Sequence, residues 1–404
     1  MSLNNETFPK PENFQTIFDV CLIGGGLHAL ALGCHIAENE PQKAVCMLDE
    51  SFTCHNGSSK NPGFATGFGL NRFLDNCRRH GAERAVRGVS DQLRALQLLF
   101  KQVGGDAEVI KATGSYEIFT AKNVHLLDTI EQVNKALFKL CGENVFEVRN
   151  DKIEEFGLNR QLVHALVFNR LDWQINTGKA LAVLIRKFQR MGGRLLTGCR
   201  TVSYREATQI FDPQPVQDCL RNTPSHRIEL AVINQTTQDC VIPVFCDIVV
   251  FCAAVPAISE LSRKQQFARA SEVLVTRPVN DLPFQTNFVV NEFSCLIRTI
   301  NQRILIERMI EAKDMTQLSC TFSSPPNNET LLSILATVLP QYQFEPDCSW
   351  HYLNYSTTGP SAGALRQLSK NAFFFAEDCQ NGFCMNFLLA EEAFRKLFRL
   401  HAKL

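Results

Sequence analysis

Residues 18–50 read FDVCLIGGGLHALALGCHIAENEPQKAVCMLDE. Asp19 to Ile23 is a short, mostly apolar run of the kind that makes a buried parallel strand. Gly24-Gly25-Gly26 follows at once, and Leu27 to Asn39 then carries helix formers with no proline. Ala44 to Leu48 is a second apolar run, closed by Asp49-Glu50. Strand, glycine turn, helix, strand and acid in that order are the setting a dinucleotide fingerprint requires. Gly24 allows the tight turn out of the strand, and Gly26 lets backbone approach a pyrophosphate with no Cβ in the way. Gly25, Leu27 and His28 fill the intervening positions. Ala29 takes the third position, where close helix–strand packing asks for Gly or Ala. The helix N-terminus offers unpaired N–H groups and the positive end of a dipole to phosphate. Asp49, 25 residues after Gly24, can accept hydrogen bonds from a ribose diol, with Glu50 beside it. Without a ligand, the same residues would make a tight β–α turn in an α/β protein.

At 404 residues the chain can bury a large core and is long enough for two domains. Its 41 basic and 41 acidic side chains cancel, so there is no electrostatic footprint for nucleic acid or an anionic membrane. None of the 16 cysteines forms a CxxC pair, and the spacing of Cys240, Cys246 and Cys252 fits no usual zinc site, so no metal is expected. Cys21, Cys46 and Cys252 lie in apolar runs, where a thiol behaves as a small hydrophobe. Free thiols in a reducing compartment are expected. The polar N-terminal stretch lacks the basic and apolar regions of a signal peptide, which makes the expected location cytoplasmic. The most apolar run, Ile248 to Ile258, is too short to span a bilayer.

Beyond the fingerprint, HNGSSKNPGFATGFG (His55 to Gly69) shows no amphipathic period and reads as a loop whose small residues can bring N–H groups to an anion. Asn71 to Gly104 reads as one helix with Val86, Val89, Leu93, Leu96 and Phe100 as its core stripe. A strand is expected at Gly114 to Phe119, and helices at Asn123 to Leu140 and Lys179 to Met191, the latter ended by Gly192-Gly193. Short strands follow at Arg194 to Thr197 and Thr201 to Tyr204. A hairpin pairs Arg227 to Ile233 with Val241 to Phe245, and a buried strand covers Asp247 to Ala253. Glu272 to Ile306 reads as antiparallel sheet with a turn at Asn301-Gln302. A helix at Asn328 to Leu339, a strand at Ala372 to Ala376 and a helix at Leu388 to Leu400 complete the chain.

These pieces in this order resemble the FAD-dependent oxidoreductases of the D-amino-acid oxidase superfamily, which includes glycine, sarcosine and γ-glutamylputrescine oxidases. The fingerprint with Asp49 looks like the family's ADP-binding βαβ unit. Asn56 to Ala65 resembles its small-residue loop G-A-S-G-R-N-x-G-F-A: Ser58, Asn61, Gly63, Phe64 and Ala65 match by type, Ser59 lies between, and Lys60 replaces Arg. Thr113-Gly114-Ser115 resembles a T-G-S strand start. Asn176 to Val202 resembles the helix and strand whose backbone, at Val202, meets the adenine side. Asp247 to Ala254 resembles the D-x-V-V-x-A-x-G strand, with Ala253 and Ala254 against the cofactor and Ala254 in place of Gly. Pro360 to Gly363 looks like P-x-x-G, and Asn381-Gly382-Phe383 stands where the family turns over the flavin ring. Two departures fall in this last part: a shortened segment before P-x-x-G and one glycine where the family often has two.

The resemblance implies an α/β fold in which an FAD-binding Rossmann-like (βαβ) domain is interleaved with a substrate domain on a mostly antiparallel sheet. The cofactor domain would take residues 17–85, 172–265 and 351–404, and the substrate domain 86–171 and 266–350. It implies FAD as cofactor and hydride transfer from a C–H beside an amine nitrogen. The substrate would be a small amine or amino acid, and the electron acceptor oxygen or a quinone. No side-chain base is required of a neutral amine. Arg298, on a predicted strand, is a candidate to pair with a substrate carboxylate, the alternative being a solvated sheet-edge arginine. His351 and Tyr355 are candidates to face the flavin, or else to serve in core or rim. His28 reads as a helix-start residue, and Cys384 is one of many cysteines rather than a covalent flavin anchor. Two other readings stand beside this one: a tRNA-modifying FAD oxidoreductase, and a degenerate flavin-binding protein with a regulatory role. Neutral charge disfavours the first.

Overall fold

The computed structural model describes residues 17–52, 57–65, 69–211, 226–234, 236, 241–252, 266–311, 326–357, 365–375 and 383–401. The opening unit is β1 (Ile17–Ile23), α1 (Leu27–Asn39) and β2 (Val45–Asp49). Val20 to Ile23 are buried on both faces, as a central parallel strand demands. β1 runs parallel to β2, Val20 opposite Val45, and parallel to Val241–Phe251, Val20 opposite Ile248. The sheet order is Leu365–Gln367, Ala372–Phe375, Val241–Phe251, β1, β2, Arg194–Thr197. The antiparallel strands Cys199–Phe211 and His226–Asn234 extend it from Val241–Phe251. α1, the helix Thr177–Arg190 and the terminal helix Met385–His401 cover one face, burying Leu22, Leu30, Met47, Leu184 and Leu388 together. Cys21, Cys46, Cys246 and Phe251 pack on the other.

The second sheet runs Pro346–Thr357, Gln266–Thr276, Arg303–Glu311, Cys295–Ile300, Asn287–Val290, Ser115–Phe119, Ala165–Asn169, Phe146–Val148. Its neighbours are antiparallel except Asn287–Val290 with Ser115–Phe119. The helix Asn328–Val338 seals one face through Leu331, Leu335, Ile297 and Ile306. On the opposite face Val273 and Leu305 meet Phe64 from the small-residue loop. The architecture is the mixed α/β arrangement expected.

Several elements differ from the sequence reading. The single helix over 71–104 is two, Leu70–His80 and Ala82–Gln102. Gly81, at φ 85°, takes a conformation that side chains resist and ends the first helix with its N–H on Cys77 O. In the second helix Ala85, Val89, Leu96 and Leu99 are buried, whereas Phe100 is 41% exposed and lies edge-on to Trp173. The 123–140 stretch opens as a 3₁₀ segment, Val124–Thr129, before Ile130–Cys141. The 55–69 loop contains a helical turn, Gly57–Lys60. The two strands expected on either side of Cys246 are one, Val241–Phe251, antiparallel to its hairpin partner and parallel to β1. Asn301 and Gln302 both have positive φ, 47° and 62°, which suits a tight hairpin turn. Among the described residues the cysteines are free, and no helix is long and apolar enough to cross a membrane.

Candidate functional site

At the end of β1 the chain must reverse into α1 within three residues. Gly24 does this at φ 113°, its N–H donating to Leu48 O at 2.7 Å. Gly25 has a separate reason to be glycine. A Cβ there would stand 2.7 Å from Asp49 Cγ, so the Asp49 carboxylate folds over a bare Cα. Asp49 is buried and accepts from Ser51 N and Oγ at 3.3 and 3.1 Å, while Glu50 is exposed. Gly26 begins α1 in extended backbone. The space above its Cα is bounded by Ser58 Oγ and the His28 ring, 3.4 and 3.5 Å from where a Cβ would be. Ser58 Oγ accepts the N–H of Leu27 at 2.9 Å, and His28 Nε2 is bonded to Cys252 O. Ala29 is fully buried, as close helix–strand packing needs.

On the far side of β2, Gly198 N donates to Ser51 O at 3.2 Å. Thr201 pairs with Val232 and Ser203 with Ala231, so Val202 is the extra residue of a bulge. A bulged residue's backbone groups are released from the ladder. The adenine-side contact implied for Val202 is a backbone contact, and the bulge leaves the Val202 backbone free for one.

The small-residue loop is held from three directions. Asn61 Oδ1 accepts Gly63 N at 2.8 Å, and Thr177 Oγ1 donates to Asn61 O at 3.1 Å. Ile175 N donates to Gly63 O at 2.9 Å, and Ala65 N to Trp173 O at 3.1 Å. From the second sheet Trp350 Nε1 donates to Lys60 O at 2.9 Å. Arg298 Nη1 donates to Pro62, Gly63 and Ile175 carbonyls at 2.6, 2.8 and 3.0 Å. Gly63, at φ 87°, has no room for a Cβ between Ile175 O and the Arg298 guanidinium. Ser59 is half-buried in the helical turn between Ser58 and Lys60.

Arg298 is therefore no solvated edge residue: only 5% of it is exposed, and burial lowers its pKa to about 10 against the opposing pull of Asp172. His351 pairs with Glu272 across the sheet, Nε2 3.4 Å from Oε1. The same row continues to Arg308 and Cys295, on the face under the Asn328–Val338 helix. Trp350, one residue earlier, lies on the opposite face with Phe64, Val273 and Leu305. Tyr355 pairs with Ala268 through its backbone. Ala253, Ala254, Gly363, Asn381 and Gly382 lie outside the described residues. Phe383 is buried. Cys384 N donates to Ala65 O at 3.2 Å, and burial pushes its thiol far up, into the neutral form.

Three residues that matter were not singled out in the sequence. Trp350 is one; both tryptophans of the chain meet the loop, and their scarcity was the available signal. Asp172, 2% exposed, sits near Arg298. Glu117, 1% exposed, accepts from Leu70 N at 2.6 Å, Asn71 Nδ2 at 2.8 Å and Asn291 Nδ2 at 2.6 Å, joining the second sheet to the helix after the loop.

The sequence profile of the FAD dependent oxidoreductase (DAO) family matches residues 19–395. No curated protein matches the chain in sequence. Among solved structures, glycine oxidase from Geobacillus kaustophilus superposes with a TM-score of 0.67 at 17% identity, covering 95% of each chain. L-amino acid deaminase from Proteus vulgaris gives 0.67 at 11%, covering 95% of this chain and 94% of that one. L-proline dehydrogenase from P. horikoshii gives 0.64 at 13%, covering 94% and 93%. At these identities the likeness is one of fold. The residues above suit the family's cofactor: a bare cradle at Gly26, a buried imidazole edge beside it and a freed backbone at Val202. With the profile spanning almost all of its length, the chain belongs to the FAD-dependent oxidoreductases of the DAO family.

Proposed function

We propose that the protein oxidises a C–N bond of a small amine or amino acid. FAD, when bound, supplies the hydride acceptor, and the protein supplies orientation and a dry site. In this reading Gly24 to Ala29 and Ser58 hold the pyrophosphate, Asp49 the ribose and Val202 the adenine edge. Ser59 to Gly63 support the flavin end together with Phe383, and Ala253, Ala254, Gly363, Asn381 and Gly382 join them. Residues 17–85, 172–265 and 351–404 act as the cofactor domain, and 86–171 and 266–350 as the substrate domain. A neutral amine can lose hydride without a side-chain base, so the chain's own task is to place it. The apolar face of Trp350, Val273 and Leu305 excludes water beside the loop. The geometry of Arg298 favours a positioning role: its Nη1 is spent on three carbonyls and fixes the loop. Free thiols among the described cysteines suit a reducing, cytoplasmic setting.

The observation that carries this reading is the Lys60–Ala65 loop, gripped at once by Trp173 and Ile175 from one side and by Arg298 and Trp350 from the other. The test is a visible spectrum of the purified protein, then anaerobic bleaching by a panel of amines and amino acids. Flavin bands that bleach with a member of the panel are the expected outcome. A flavoprotein that no amine or amino acid reduces overturns the assignment. Reoxidation by oxygen or by a soluble quinone then identifies the acceptor.

A further inference from the structure

α1 spans 13 residues, and its N-terminus faces a side chain that no fingerprint rule calls for. His28 is 8% exposed. Its Nε2 is bonded to Cys252 O, and its ring meets Phe375 edge-on at 5.6 Å. A carbonyl only accepts, so Nε2 carries the proton and neutral His28 keeps a bare lone pair on Nδ1. That Nδ1 is buried and without a hydrogen-bond partner. It lies on the Gly26 side, 3.6 Å from where a Gly26 Cβ would stand, with Ser58 Oγ at 3.4 Å from the same point. A buried acceptor with nothing to accept costs free energy in the empty protein. The same atom, protonated, becomes a cationic donor aimed at the space over Gly26.

We propose that His28 is a pyrophosphate ligand, and that FAD binding places a solvent proton on its Nδ1. The proposal rests on FAD binding over Gly26. Nothing covalent forms: an anionic phosphate oxygen accepts from the Nδ1–H, and Nε2–H keeps its bond to Cys252 O. Among the described residues, the other ionisable groups on the packed elements fit this. Cys252 is held neutral by burial, well above its ordinary range. Asp49 lies against Gly25. Lys60 is carried on the Ser58 turn, and Ala372–Phe375 brings no ionisable group. Glu391 and Arg395 of the terminal helix act on His35, and Lys187 pairs with Glu38, both toward the other end of α1. FAD affinity therefore falls as pH rises, by up to about tenfold per pH unit for one proton taken up.

The test titrates FAD into the apoprotein by flavin fluorescence quenching from acid to alkaline pH. Calorimetry in two buffers of different ionisation enthalpy counts protons taken up. ADP, which carries the phosphates without the flavin, should show the same pH slope and the same uptake. His28→Gln, which can still donate to Cys252 O but cannot titrate, should flatten the slope and bind at all pH values as weakly as wild type does at high pH. Wild-type binding with no slope and no proton uptake overturns the proposal even if the variant does not fold. A slope retained in His28→Gln, or present for FAD and absent for ADP, also overturns it. FAD that fails to bind at any pH overturns the cofactor placement and this proposal with it.

Discussion

Arg298 Nη1 lies 2.8 Å from the carbonyl of Gly63, across 235 residues of sequence. The guanidinium sits in a nest of three carbonyls, so its removal leaves buried acceptors bare. Arg298→Met should lower the unfolding free energy by on the order of 3 kcal/mol and weaken FAD binding with it. Urea denaturation of holoprotein and apoprotein measures both. An unchanged midpoint would mean that the loop is held without the clamp.

Gly25→Ala drives a methyl group into the Asp49 carboxylate. Either the acid moves off the ribose position or the turn opens. FAD affinity should drop by about tenfold or more, equivalent to roughly 1.4 kcal/mol. Equilibrium dialysis with FAD checks it, and wild-type affinity in the variant would place the ribose elsewhere.

Trp350→Phe keeps most of the ring and loses the donor to Lys60 O. The cost to stability should be small, about 1 kcal/mol. Hydrogen exchange should quicken at residues 58–65 and leave β1 and β2 unchanged. Uniform protection across all of them would show that the bond is dispensable.

Glu117 gives a pH dependence. Burial holds its carboxyl above the usual carboxylate range, against hydrogen bonds from Asn71, Asn291 and Leu70 that pull it down. The folded protein therefore keeps this proton to higher pH than the unfolded chain does. That contribution to stability is complete below the unfolded value, about 4.3, and is lost as pH rises through the folded one. The unfolding free energy of wild type relative to Glu117→Gln should fall over that interval. A difference independent of pH would place the Glu117 titration where the unfolded chain has it.

Local signals read well. β1, α1 and β2 lie within two residues of the expected bounds, because an apolar run and glycine punctuation are written in adjacent residues. The Asn301-Gln302 turn was legible for the same reason. The grip on the loop was not. Whether Trp350 or His351 faces it depends on strand register between Gln266–Thr276 and Pro346–Thr357, which a one-residue slip would invert. The break at Gly81 was hidden because one glycine inside a helical pattern is usually tolerated. Gly25 looked like a filler, since its partner Asp49 is brought there only by the fold.

The loop that carries Ser58 to Ala65 is made early on the ribosome, yet its fasteners come late. Trp350 follows Lys60 by 290 residues, and Arg298 follows Gly63 by 235. Contacts this distant in sequence are slow to form. Chains that end before Arg298 have the whole glycine motif and the grips from Trp173, Ile175 and Thr177, but not the clamp from the second sheet. Truncated products that stop before Arg298 should therefore retain less flavin colour than the whole chain, however much riboflavin the cell is given.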